Sequence, residues 1–315
     1  MFDPAEFVEE ATAFIKELAT GRTIIGASGG VDSTVAAAIA HLAIPDKLTL
    51  VFVDSGYMRR GEGEFVRKMF ADMGAECKIV DASERFFKPL EGVIEPEKKR
   101  KIIGEQFIRV FEEEATRDGS EFLIQGTIAP DWIESGGDLR DTIKSHHNVG
   151  GLPEKFGLKL IEPLRDIYKD EVRKVARYLE LDVAERQPFP GPGLAIRIMG
   201  EPTREATEIV REACWIVEEE LEAAAAKGLM ELPWQYFAVL TPVKTVGVQG
   251  DIRAYGYTIA VRAVDSVDGM SAAYMKVPHE VLDKISIRIT NSMPTQINRV
   301  VYDITNKPPG TIEWE

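Results

Sequence analysis

Two cysteines in 315 residues, Cys77 and Cys214, are too few and too far apart in sequence for a disulfide framework or a cysteine-based metal site. Long apolar runs are missing too: no stretch reaches the roughly 18 residues needed to cross a bilayer. Basic residues are in deficit, 38 against 52 acidic, and the net charge of −14 speaks against a broad nucleic-acid-binding face. The opening Met1-Phe2-Asp3-Pro4-Ala5-Glu6 lacks the basic start of a secretory signal; Asp3 and Pro4 instead have the form of a helix N-cap and first helical position. These absences predict a cytoplasmic protein with no membrane and no nucleic-acid partner. Internal repeats are absent as well, and Ala223–Ala226 is only strong helix propensity. What is present is a 44% hydrophobic composition, enough for a sizeable core, and a length that suits two domains at about 150 residues each.

The most informative segment is Ser28-Gly29-Gly30-Val31-Asp32-Ser33. Before it runs the β-branched Thr23-Ile24-Ile25-Gly26-Ala27, which reads as a buried strand, and after it the alanine-rich Thr34–Ala40, which reads as a helix. A strand, a glycine turn and a helix N-terminus make an anion site: the glycines allow close approach, and the unpaired N–H groups of the first helical turn face the ligand. A bare Ser-Gly-Gly is more often a simple turn, and an Asp in a first helical turn is often a cap. The full strand–turn–helix context reverses that preference. The loop lacks the lysine of G-x-x-x-x-G-K-[ST] and carries Asp32 instead, and a carboxylate beside a phosphate calls for a cation such as Mg²⁺ between them. The string resembles the pyrophosphate loop of the ATP pyrophosphatases, which bind ATP, adenylylate a substrate oxygen and release pyrophosphate.

Residues 1 to about 187 alternate strand and helix. Strands are predicted at Thr23–Gly26, Leu48–Val53, Cys77–Val80, Phe122–Gln125 and Leu158–Ile161, and helices at Pro4–Ala19, Ser33–Ala43, Glu62–Met73, Pro96–Thr116 and Lys169–Leu179. That alternation predicts a doubly wound parallel α/β sheet with ligands at the carboxyl ends of its strands. Between Pro130 and Pro153 neither period persists, which predicts a functional loop or lid, the alternative being a regular element that the pattern does not reveal. Pro188-Phe189-Pro190-Gly191-Pro192-Gly193 can continue neither kind of element and marks the boundary to a second, smaller α+β domain, 188–315. There, strands are predicted near Leu194–Met199, Tyr236–Leu240, Val243–Val248, Tyr257–Val264 and Arg299–Ile304, with helices at Arg204–Lys227 and His279–Asn291.

Lys99-Arg100-Lys101 is a basic run whose ordinary reading is a solvated helix face. Gln125-Gly126-Thr127 ends a strand on the ligand edge. The adjacent His146 and His147 invite a metal reading, but no H-x₃-H or C-x₂-C accompanies them, and a place in the lid explains them better.

These strings together resemble the ATP pyrophosphatase and dimerisation portion of the GMP synthetase family, from about residue 3 to Glu315. The resemblance is carried by Ser28–Ser33, Val51-Phe52-Val53-Asp54, Lys99–Gly104, Gln125-Gly126-Thr127, Asp131–Ser135, Ile143–Asn148, Lys169–Arg173, Pro188–Arg197, Thr245–Asp251 and Asn306–Glu315. It implies an adenine nucleotide alpha-hydrolase-like fold and a reaction in which ATP adenylylates O2 of XMP and ammonia displaces AMP to give GMP. It further implies ATP binding by Ser28, Gly29, Gly30, Val31, Asp32, Ser33, backbone near Val53, and Gly126. Asp32 would be the Mg²⁺ ligand, and Lys144 would neutralise phosphate charge when the lid closes. XMP would be held by Arg100, Arg197, Asp251, Lys307, Thr311 and Glu313, and the protein would be a homodimer through its second domain.

One feature of the family is missing: no G-x-C-x-G elbow surrounds Cys77 or Cys214, so no glutaminase site is present in these 315 residues. A separate glutaminase subunit or free ammonia would then supply nitrogen. Other enzymes share such a loop, among them NAD synthetase-like amidating and tRNA-modifying enzymes, and a non-catalytic nucleotide sensor would as well. The second domain and the acidic charge count against the first alternative, and the joint presence of Asp32, Lys144, Lys307 and Glu313 against the second.

Overall fold

The computed structural model describes residues 2–130, 158–184, 186–249, 252–266 and 269–315. The chain forms two compact units, one made of Met1–Gly56, Gly61–Arg85 and Ile103–Arg186, the other of Tyr57–Arg60, Phe86–Ile102 and Gln187–Glu315. The second unit thus draws in two segments from the first half of the sequence, and Arg100 lies in it.

In the first unit, strands β1 (Thr23–Gly26), β2 (Leu48–Asp54), β3 (Cys77–Asp81), β4 (Phe122–Ile124) and β5 (Lys159–Ile161) form one sheet in the order β3-β2-β1-β4-β5. Every pairing is parallel. The helices of the first 186 residues are α1 (Pro4–Leu18), α2 (Val31–Ala43), α3 (Glu62–Asp72), α4 (Ser83–Phe87), α5 (Pro96–Asp118) and α6 (Lys169–Tyr178). All the predicted strands and longer helices of this region are present; the short α4 has too few residues to show a period. Winding runs outward from β1 to β3 and then returns to β4 and β5, which makes the sheet doubly wound and leaves a switch point between β1 and β4.

Local chemistry explains the elements that flank the switch point. Asp3 caps α1 by accepting from the N–H groups of Ala5 and Glu6 at 2.9 and 3.3 Å, with Pro4 at the first helical position. Helix α2 is buried on almost every side, from Val31 through Ala43, because its alanines let it sit close to β1 and against α1 and α6. Ile24, Ile25, Leu50, Val51, Phe52, Leu123 and Ile124 fill the sheet core, each worth about 1.5–3 kcal/mol of apolar burial.

The second unit contains an antiparallel pair of long strands, β6 (Gln235–Gln249) and β7 (Ile252–Asp265), with β8 (Ala273–Tyr274) antiparallel and β9 (Ile297–Tyr302) parallel to β7. Helix α7 (Arg204–Ala226) packs on β6 and on helix α8 (His279–Ser292). The two strands predicted at Tyr236–Leu240 and Val243–Val248 are one strand with a register shift between Leu240 and Lys244, where Pro242 cannot donate to the ladder. The strand predicted near Leu194–Met199 is instead a buried 3₁₀ turn, Gly193–Arg197. Gly193 has φ +65°, and a Cβ there would lie 2.4 Å from the Tyr57 carbonyl oxygen, so the segment turns inward rather than extending. A short apolar run does not distinguish a buried turn from a strand. Among the described residues no helix is long and apolar enough to cross a membrane.

Candidate active site

The loop of the first unit lies just past the carboxyl end of β1, at the switch point. Gly29 takes the left-handed conformation (φ +74°), and Gly30 precedes α2 with no side-chain cap, unlike Asp3 at α1. The N-terminus of α2 is therefore left to accept an external anion. Ser28 and Ser33 wire the loop shut: their Oγ atoms are 2.7 Å apart, Ser33 Oγ accepts from the Ser28 N–H at 3.2 Å, and Ser28 Oγ accepts from the Gly30 N–H at 3.3 Å. Ser28 and Gly30 are exposed while Gly29 is buried.

Gly126, two residues past β4, completes the cradle. A Cβ at this position would come within 2.9 Å of the Asp32 carbonyl carbon and 3.0 Å of the Ser33 nitrogen. Only glycine lets the end of β4 lie against the first turn of α2. Val53 is buried in β2, in register with Val80 of β3, so backbone is what it offers at that edge.

Asp32 has two different oxygens. Oδ2 accepts from Lys169 Nζ, at the start of α6, at 2.6 Å. Oδ1 is buried and has no hydrogen-bond partner among the described residues, and the same holds for Gln125 Oε1 and Thr127 Oγ1 on either side of Gly126. These unpartnered oxygens beside an uncapped helix end fit the chemistry of a hard cation such as Mg²⁺, which Asp32 would hold. The described residues contain no cluster of three or more His, Cys, Asp or Glu that would enclose a metal by themselves.

Beneath the loop lies a pair with no sequence signature. Glu62, in the first turn of α3, is only 3% exposed and meets Arg186 in a two-pronged pair, both N–O distances 2.7 Å. The Arg186 guanidinium stacks 4.1 Å above Phe65 and donates to the Gly29 carbonyl at 3.5 Å. Glu62 looks like an ordinary helix-start carboxylate in the sequence, and its partner is 124 residues away.

In the second unit the predicted XMP residues fall as follows. Arg197 is fully buried; its Nε and Nη2 donate to the two oxygens of Glu313 at 3.1 and 2.8 Å, and its guanidinium lies 4.2 Å from the Phe237 ring. Gln235 Nε2 donates to Glu313 Oε1 at 2.8 Å. Burial disfavours the charge of Arg197, but Glu313, with a smaller contribution from Glu218, more than reverses this and holds its pKa above the ordinary range. Arg100 donates to the backbone carbonyl of Glu315, Thr311 Oγ1 to that of Glu313, and Lys307 Nζ to that of Gly269 at 2.8 Å. The geometry brings Arg197 with Glu313, and Arg100 with Glu315, onto one segment, whereas the Lys307 ammonium is engaged separately. Asp131, Glu134, Lys144, His146, His147 and Asp251 lie outside the described residues.

Two further cations are not evident from the sequence. Arg262, fully buried, donates to the carbonyls of Thr305 (2.5 Å), Thr311 (2.9 Å) and Ile312 (3.4 Å) and pairs with Asp303 at 3.1 Å. Lys99 is equally buried, paired with the Glu315 carboxylate and donating to the Ile198 carbonyl at 2.6 Å. Burial lowers the Lys99 pKa and raises that of Glu315, each shift partly offset by the other group. The reading of Lys99-Arg100-Lys101 as a solvated face thus fails at Lys99. Segment 306–315 is ordered by these contacts, with Trp314 Nε1 also donating to Asp303 at 3.0 Å.

Both cysteines are buried, and burial raises both thiol pKa values, that of Cys77 to about 11, so neither offers a reactive thiolate near neutral pH.

A doubly wound sheet with an uncapped glycine loop at its switch point is the arrangement in which open α/β sheets offer a crevice and a helix N-terminus to an anionic ligand. The family model for the GMP synthase C terminal domain matches residues 222–314. A subunit of the glutamine-hydrolyzing GMP synthase of Thermococcus kodakarensis is 61% identical over 98% of this chain and 99% of its own length, and the corresponding subunit of Methanopyrus kandleri is 56% identical over 100% of both. The glutamine-hydrolyzing GMP synthase of Clostridium tetani is 56% identical over 98% of this chain, which spans 61% of that protein. The chain belongs to the family of these GMP synthase subunits.

The buried pair in the second unit yields a prediction. Glu313→Gln leaves the Arg197 guanidinium buried without its counter-charge, a change that costs about 3–5 kcal/mol in comparable buried pairs. The urea midpoint of this variant should fall well below that of the parent protein. An unchanged midpoint would show that the pair contributes nothing to stability.

Proposed function

We propose that this chain carries out the ATP-dependent amination of XMP to GMP. The xanthine O2 attacks the α-phosphorus of ATP, the bond to pyrophosphate breaks, and adenylyl-XMP forms. Ammonia then bonds to C2, AMP departs with the C2–O electron pair, and a proton is lost. The observation that carries this reading is similarity to GMP synthase subunits along the whole of both chains.

In this reading the loop amides and the Ser28 and Ser33 hydroxyls bind the pyrophosphate end of ATP. Val53 backbone faces adenine, and Gly126 keeps the cradle open. The α2 N-terminus supplies fixed dipoles where negative charge grows on the leaving pyrophosphate. Asp32 would hold Mg²⁺, since its buried Oδ1 has no hydrogen-bond partner among the described residues. When bound, the ion supplies further neutralisation of the leaving group. Lys144 is assigned to neutralising phosphate charge from the 130–153 segment.

XMP is assigned to Arg100, Asp251, Lys307, Thr311 and Glu313, with Arg197 contributing by holding Glu313. Two of the three donors around Glu313 converge on Oε1, which leaves lone-pair capacity on Oε2 for an N–H or O–H of purine or ribose. Ammonia is assigned to a separate glutaminase subunit. Two observations support this: the Thermococcus and Methanopyrus relatives are named as one subunit of a glutamine-hydrolyzing enzyme, and the chain spans only part of the Clostridium protein. Val246, Val248, Ile252 and Tyr255, exposed on β6 and β7, support a homodimer through the second unit. A cytoplasmic location suits this chemistry.

Three measurements test the reading. The purified chain with XMP, ATP, Mg²⁺ and ammonium salt should release GMP, AMP and pyrophosphate, and glutamine in place of ammonium should give none; silence with ammonium overturns the reaction. Asp32→Asn should lower kcat by about 10²–10³-fold. Its melting temperature should hardly move, because a half-exposed pair with Lys169 is worth roughly 0–1 kcal/mol. Near-normal turnover would reduce Asp32 to a helix-start carboxylate. Sedimentation at assay concentration should show a dimer, and a fully active monomer contradicts the interface.

A further inference from the structure

Glu62 places a buried carboxylate directly under a loop that has to receive a polyanion. A Cβ at Gly29 would sit 2.4 Å from Glu62 Oε1 and 3.5 Å from Arg186 Nη1, so loop backbone and ion pair are in immediate contact. Left alone, the Glu62 charge would oppose phosphate binding. Arg186 cancels it, and does so with its side chain fixed on three sides, by both Glu62 oxygens, the Phe65 ring and the Gly29 carbonyl.

The contact with Gly29 has a stereochemical consequence. In a trans peptide the C=O of one residue and the N–H of the next point in opposite directions. With the Gly29 oxygen directed down at Arg186, the Gly30 N–H must point up, to the exposed side where Ser28 Oγ now accepts it at 3.3 Å. If that peptide rotated, a carbonyl oxygen rather than an N–H would face the anion. Gly29, with φ +74° and no side chain, has the freedom to allow such a rotation.

We propose that Arg186 and Glu62 are positioning residues for the phosphate site: the pair locks the Gly29–Gly30 peptide so that its N–H faces the pyrophosphate moiety of the nucleotide. This rests on the assignment of ATP to the Ser28–Ser33 loop. The pair touches no substrate; it acts through one backbone amide. Neutralising Glu62 is not enough for this role, because only a fork held by two carboxylate oxygens keeps a fixed direction toward Gly29.

A charge-neutral double variant separates positioning from charge balance. E62M/R186M removes both charges together and leaves neither an unpaired buried ion nor an unpaired buried amide, so its melting temperature should stay near that of the parent. Its affinity for inorganic pyrophosphate with Mg²⁺, measured by calorimetry, should nevertheless fall about tenfold or more, the loss of a hydrogen bond to a charged group. R186K keeps the charge without the fork and should show the same loss. In turnover assays both should raise KM for ATP and leave KM for XMP unchanged. Pyrophosphate affinity within about twofold of the parent in either folded variant overturns the proposal, and so does an equal rise in both KM values. If the double variant fails to fold, R186K alone decides the matter by the same criteria. The parent protein is the control for the underlying reading: if it binds neither pyrophosphate nor Mg²⁺–ATP, the assignment of ATP to this loop fails, and the positioning role falls with it.

Discussion

An anion held by backbone N–H groups needs a helix end that nothing else has capped, and the first unit is arranged around keeping one open. Gly30 has no side chain with which to cap α2. Gly126 brings β4 close without filling the space, and the Ser28 and Ser33 hydroxyls hydrogen-bond one another across the loop. The sheet order makes this arrangement available. A strand end at a switch point is not crossed by the crossover connections, which depart in opposite directions, so a crevice persists there. The alanine-rich body of α2 serves the same end, since small side chains bury the helix on all sides and hold its N-terminus in place.

The second unit solves a different problem with buried charge. Arg197, Arg262 and Lys99 are each withdrawn from water, and each is matched by a carboxylate: Glu313, Asp303 and Glu315. Two of those carboxylates come from segment 306–315, and Arg262 takes three of its contacts from carbonyls at Thr305, Thr311 and Ile312. Replacing such pairs by apolar residues is often neutral or stabilising, so stability alone does not account for them. They impose direction instead. Moving the polar, proline-containing segment 306–315 away would leave Arg197 and Lys99 in the interior without the carboxylates of Glu313 and Glu315.

How much of this is legible in the sequence depends on the range of the interactions involved. The parallel sheet, its helices and the loop are readable because alternation, helix capping and the glycine turn are local patterns, and Asp3, Gly30 and Asp32 behave as their neighbours require. The 3₁₀ turn at Gly193–Arg197 reads as a strand because apolar content alone does not encode the turn that Gly193 makes against Tyr57. Lys99 reads as surface because charge runs usually are, and nothing nearby foretells a carboxylate 216 residues away. Glu62 and Arg186 escape a sequence reading for the same reason. Arg197 and Glu313 each stand out by resemblance, but that they bind one another is information only the fold contains.

The negative net charge and the anionic ligands assigned to this chain are compatible because the two act at different ranges. Surface carboxylates are screened beyond about 8 Å at physiological ionic strength. The groups facing a phosphate in the loop act at contact distance, from a site partly shielded by protein, where screening is weak. What the protein must avoid is a local unpaired carboxylate. Of the described carboxylates at the loop, Glu62 is matched by Arg186 and Asp32 by Lys169. The difference lies in exposure and contact: Arg186 is 23% exposed and holds both oxygens of the buried Glu62, whereas Lys169 is 46% exposed and attached to Asp32 by one oxygen. A two-pronged pair beneath the loop and a single, more exposed one at its mouth leave neither carboxylate unpaired, and the exposed one is the easier of the two to part.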